Sequence, residues 1–175
     1  REGLLFVGGF AHPPNADAVL WFAREIFPAI RGELPDVNFY VVGSKVTDEI
    51  KALEQPGNGI VIKGFVSDEE LERLYATCRV VVVPLRYGAG VKGKVLEALY
   101  NGAPVITTSI GAEGIPFVDQ ALKIEDTAQG FAAATTALYQ DPEACRRMSR
   151  DTQEYMKKYF SLDSAWETIR EDFTV

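Results

Sequence analysis

The chain has 175 residues, 47% hydrophobic and 25% charged, and its 18 basic against 25 acidic residues leave a net charge of −7. This is room for one α/β domain with a substantial core, and its acidity argues against a nucleic-acid binder, which needs a clustered basic surface to neutralise phosphates. No run has the length of a membrane span and no signal peptide is expected at the start; Cys78 and Cys145 fit no CxxC or Cys/His metal pattern and are expected as reduced structural thiols.

From the amino end, Arg1-Glu2 leads without a methionine into the apolar run Leu4 to Val7, which reads as a strand opening an excised domain. Strands are expected at 4–8, 38–42, 60–63, 80–84, 104–107 and 121–124. Four of them are near-continuous apolar runs, as strands covered on both faces require. Between them lie helical segments. The first, from Asn15 to about Ile30, sets Val19, Phe22, Ala23, Ile26 and Phe27 on one face, with Asn15 as its expected N-cap. Ser67 to Glu70 reads as a capping box ahead of Leu71, Leu74 and Tyr75. After Glu125 three helices are expected, at 127–140, 142–158 and 162–173. Strands alternating with helices define a Rossmann-like, doubly wound parallel sheet of about six strands, helices on both faces, and a C-terminal helical tail. No linker or internal repeat divides it, so 1–175 is expected as one domain.

The most informative stretch runs from Val80 to Ile115. An apolar strand stops at Gly88-Ala89-Gly90, and a helix with Lys92, Lys94 and Glu97 near its start follows. Gly88 and Gly90 let a backbone approach a phosphate without Cβ interference. The free N–H groups at the helix start, next to Ala89 and Val91, favour an anion. Lys94 adds a full charge; Lys92 either does the same or projects into water. Glu97 lies three residues beyond Lys94, among residues expected to face the core. It is either an i,i+3 ion-pair partner of Lys94 or the acceptor of two vicinal ribose hydroxyls.

Three further loops fall on the same sheet edge. Gly8-Gly9 ends the first strand ahead of His12, the single histidine, which is read as either a ligand contact or an ordinary loop residue. Gly43-Ser44-Lys45 follows the second strand. Gly111 and Gly114 bracket Glu113, which is either an exposed loop acid or aimed at a sugar. No Ser/His/Asp set, Cys/His pair or metal cluster is present in the pattern.

FVGGFAHPPNADAVLWFAREIFPAI, FYVVG, IVIKGFVSDEELERLYATCRVVVVPL and GAGVKGKVLEALYNGAPVITTSIGAEGI, in that order, resemble the C-terminal, donor-binding domain of group 1 glycosyltransferases with the GT-B fold. The resemblance implies a domain that binds a UDP-, GDP- or ADP-linked sugar, with no separate cofactor and no metal. It implies ribose binding by Glu97 and diphosphate binding by Lys94. The first glutamate of the family's pair would fall at Ala89 and is missing; the arginine and lysine that many relatives carry after the first strand are also missing from Gly9 to Asn15. The resemblance further implies an acceptor, glycan or lipid-linked, held by an N-terminal domain absent from this sequence. Little activity of this domain alone, transfer with retention, polysaccharide synthesis in bacteria, and a cytoplasmic or inner-leaflet location follow from it as well. A sugar-nucleotide epimerase of the same fold and a binding module without catalysis are the alternatives.

Overall fold

The computed structural model describes residues 1–161; the expected helix at 162–173 lies outside the described residues. Six strands, β1 (Leu4–Val7), β2 (Phe39–Val42), β3 (Ile60–Gly64), β4 (Val80–Val83), β5 (Val105–Thr107) and β6 (Lys123–Ile124), form one sheet in the order β3-β2-β1-β4-β5-β6. Every neighbouring pair is parallel. The helices are α1 (Pro13–Trp21), α2 (Phe27–Glu33), α3 (Asp48–Lys51), α4 (Asp68–Thr77), α5 (Gly93–Tyr100), α6 (Ser109–Ala112), α7 (Ala128–Gln140) and α8 (Pro142–Tyr159). β1 feeds leftward to β2 and β4 feeds rightward to β5, so right-handed crossovers put α1 and α5 on opposite faces. This is the doubly wound sheet expected.

Val80 to Val83 are all buried, because β4 lies mid-sheet under helices on both faces. Phe22 fills the layer between sheet and helices, its ring 4.5 Å from Phe39 and 5.9 Å from Phe131. Val19, Phe22, Ala23, Ile26 and Phe27 are buried together, as their spacing requires. The helix carrying them is not uniform, however. A π-helical turn, Phe22–Ile26, joins α1 to α2, and the Phe27 N–H donates to the carbonyl of Phe22, five residues back. Pro28 has no N–H and its ring crowds the carbonyl four residues earlier, so a widened turn absorbs it.

Two local expectations are corrected. The first helix begins at Pro13 with His12 at its N-cap, making no side-chain cap, so Asn15 lies inside the helix and is 5% exposed. Proline suits the first helical position, where a missing N–H costs nothing. Only half of the capping box forms: Ser67 Oγ accepts from the Glu70 N–H at 3.3 Å, while the Glu70 carboxylate pairs with Lys63 and Arg73. Those two cations hold Glu70 below the usual carboxylate range. Cys78 and Cys145 are buried free thiols, and burial pushes Cys78 up to about 11.

Candidate functional site

β1 and β4 are adjacent, and the chain leaves them in opposite directions. Their carboxyl ends therefore open a crevice, the position at which open α/β sheets hold ligands. At its floor the Asn15 amide nitrogen donates to the Gly9 carbonyl at 2.7 Å, and the Asn15 Oδ1 accepts from the Lys94 ammonium. Lys94 also sits 5.4 Å from the centre of the Phe6 ring. Burial, with a smaller contribution from Lys92, lowers its pKa to about 8. Gly8 is required by space: a Cβ there would stand 2.9 Å from Asn15 Nδ2 and 3.1 Å from Lys94 Nζ. Gly43 matters similarly, since its Cβ would fall 2.0 Å from the Gly8 carbonyl oxygen.

The glycine loop forms the wall above. Gly88 and Gly90 adopt φ of +129° and +75°, which L side chains rarely adopt. Gly88 lies against Pro14, at the start of α1. Lys92 folds back into the loop and donates to the carbonyls of Gly88 and Gly90; its ammonium is also 3.1 Å from Glu113 Oε2. Glu113 is half exposed. Gly111 is buried, and a Cβ there would come within 1.9 Å of Thr107 Oγ1, so packing alone accounts for this glycine.

Glu97 stands one turn into α5, on its exposed face, while Val95, Ala98 and Leu99 enter the core. The expectation that it faces the core is therefore corrected, and so is the ion pair: Lys94 turns to Asn15 instead. Partial desolvation raises the Glu97 pKa, opposed by the nearby Tyr75 hydroxyl. That buried hydroxyl makes no formed hydrogen bond. His12 is exposed at the helix start, its carbonyl accepting from the Asn15 N–H at 3.0 Å.

Sequence reasoning passed over several neighbours. Arg86 forks onto Asp17, with Nε 2.9 Å from Oδ2, and ties the β4 loop to α1. A pair 69 residues apart leaves no local signal. Phe65, 81% exposed after β3, and Tyr87 after β4 present aromatic rings on this edge; residue type alone does not separate an exposed ring from a core one. A cavity of about 650 Å³ beside Arg31, Asp36, Gln55 and Ile60 lies at the amino edge of the strands, away from the crevice.

The class defined by this fold is a Rossmann-like α/β domain of the GT-B type. The sequence profile described as "Glycosyl transferases group 1" matches residues 1–141, and the chain belongs to that family. A Klebsiella pneumoniae protein described as "Uncharacterized 44.6 kDa protein in cps region" is 34% identical over 116 residues, covering 63% of this chain and 30% of that protein. This chain thus spans under a third of that relative. Among solved structures, a mutant of S. aureus TarM in complex with Fondaparinux, alpha-GlcNAc-glycerol and UDP superimposes with a TM-score of 0.76 at 17% identity, over 99% of this chain and 36% of TarM. The C-terminal domain of the group 1 protein LpcC from Francisella tularensis gives 0.68 at 20% identity, over 91% of this chain and 87% of that one. Similarity at these identities concerns the fold.

Proposed function

We propose that this chain is the donor-binding domain of a glycosyltransferase, binding a nucleoside-diphosphate sugar for transfer to a glycan or lipid-linked acceptor. The observation that carries the reading is the Lys94–Asn15 pair beneath the glycine loop. It places one partly buried cation and unpaired helix N–H groups at the crevice where α/β sheets hold phosphates. Lys94 meets the diphosphate, with Gly8, Gly9 and Asn15 below it and the backbone of Gly88 to Val91 above. Glu97 accepts from the ribose hydroxyls. Glu113 and His12 face the sugar side. Gly111 and Lys92 hold the loop that carries Glu113.

The acceptor is held by a second domain outside this sequence, consistent with the share of TarM that the chain spans. Transfer proceeds with retention, and this domain alone has little turnover. The Klebsiella relative's cps region supports a role in surface polysaccharide. No described helix is long and apolar enough to cross a membrane. A location in the cytoplasm or against the inner leaflet is part of the same proposal and rests on the family.

Calorimetric titration with UDP, GDP and ADP tests the reading. Saturable binding of one nucleotide that Glu97→Ala weakens supports it. Binding that ignores Glu97 points to an interaction module, and absence of binding by all three overturns the donor-site assignment for this chain.

A further inference from the structure

Lys92 is an enclosed cation on the ligand edge: its side chain is 9% exposed. The ammonium has three donors and three acceptors are spread around it, the Gly88 carbonyl at 3.5 Å, the Gly90 carbonyl, and Glu113 Oε2 at 3.1 Å. No proton is left over for a ligand. A buried lysine in this arrangement is an internal brace.

The brace also sets the direction of the backbone. In a trans peptide the C=O of one residue and the N–H of the next point opposite ways. Drawing the carbonyls of Gly88 and Gly90 onto the ammonium therefore turns the N–H groups of Ala89 and Val91 away from it. Among the described residues, neither N–H finds a protein acceptor. Successive N–H groups freed in this manner form an anion-accepting concavity.

The third contact reaches a different loop. Glu113 follows β5, and its loop is pinned independently: the Thr108 hydroxyl donates to the Leu85 carbonyl and accepts from the Gly111 N–H at 3.1 Å. Gly114, at φ +74°, packs on Val91, its Cβ position 3.0 Å from Val91 Cγ2. Lys92 thus ties the glycine loop to a fixed point on the next strand's loop. Glu113, half exposed, keeps its second oxygen for solvent or ligand.

We propose that Lys92 is a positioning residue that clamps the 88–92 loop to Glu113, presenting the Ala89 and Val91 amides to the donor diphosphate without itself touching it. The ligand named rests on the donor-site reading above; the clamp does not.

Backbone 15N relaxation of the ligand-free chain is the first test, on wild type, Lys92→Met and Glu113→Ala. Both variants should lower the order parameters across 86–92 from the rigid range of about 0.85 to below about 0.6, with the independently pinned 109–115 loop and the thermal midpoint little changed. Order parameters across 86–92 that hold in either variant overturn the clamp. UDP titration then separates brace from ligand. A direct phosphate contact survives Lys92→Arg, which keeps the charge; a close-fitting brace does not, so Lys92→Arg and Lys92→Met should both weaken UDP at least about fivefold, roughly 1 kcal/mol. Retained affinity in Lys92→Arg, or in Lys92→Met, overturns the positioning role. A wild-type chain that binds no UDP, GDP or ADP sinks the donor reading and the diphosphate with it, while the relaxation result still decides the clamp.

Discussion

The Lys94 ammonium donates to Asn15 Oδ1 across 79 residues of sequence, joining the start of α5 to the first turn of α1. Asn15 turns its other amide atom to the Gly9 carbonyl, so one side chain fixes both the β1 loop and the lysine. The pair can form because Gly8 has no Cβ to fill the space between them.

Replacing Lys94 with Met removes the cation while keeping most of the apolar stem. Nucleoside-diphosphate affinity should fall at least about tenfold, roughly 1.4 kcal/mol, by calorimetry. The thermal midpoint should hold or rise, because a partly buried charge with a neutral partner is costly to keep. Unchanged affinity would remove Lys94 from the diphosphate site.

Donor binding should depend on pH through the same group. Free Lys94 titrates at about 8, so its charge, and nucleotide affinity with it, declines as pH rises through that value. At pH 8 the complex should take up a fraction of a proton, visible as a buffer-dependent calorimetric enthalpy. Stability moves the opposite way. With its folded pKa depressed below the unfolded value near 10.4, the unfolded state binds more protons in that window, so unfolding free energy gains from Lys94 as pH climbs from about 8 to about 10.4. Lys94→Met should lose both dependences.

Tyr75→Phe should leave stability unchanged or raise it by up to about 1 kcal/mol, since the deleted hydroxyl is buried without a formed hydrogen bond. Urea denaturation measures this. A loss of more than about 1 kcal/mol would show that the Glu97 carboxylate and the hydroxyl support each other in solution.

Two glycines give opposite outcomes on the same substitution. Gly111→Ala forces a Cβ against Thr107 Oγ1 and should destabilise by about 1–3 kcal/mol. Gly32→Ala, in α2 with nothing within 4 Å of the new Cβ, should stabilise by roughly 0.5–1 kcal/mol. Equal midpoints for both variants in thermal denaturation would contradict the packing around α6.

Much of the fold was legible from local pattern. Val80 to Val83 and the Val105-Ile106 pair announce buried parallel strands because a strand covered on both faces reads as a near-continuous apolar run. β6 has two residues in place of the four expected, because the Ala121 and Leu122 N–H groups turn back to the Val118 carbonyl instead of joining the sheet. The π turn was not legible: Val19, Phe22, Ile26 and Phe27 keep their buried face through it, so the hydrophobic period barely registers the added residue.

The order strand, glycine loop, helix, and the residue types gathered at one sheet edge, follow from local pattern, because backbone propensity and burial period are local properties. Which groups touch depends on packing between distant segments. Lys92 and Lys94 are two residues apart and of one type, yet one is turned into the glycine loop toward Glu113 and the other toward Asn15. Residues two apart on a helical start point in different directions, and what each meets is set by loops arriving from distant parts of the chain. Glu97 shows the same limit: its neighbours in sequence are apolar, but the 100° step of a helix turns it out to the surface while they turn in.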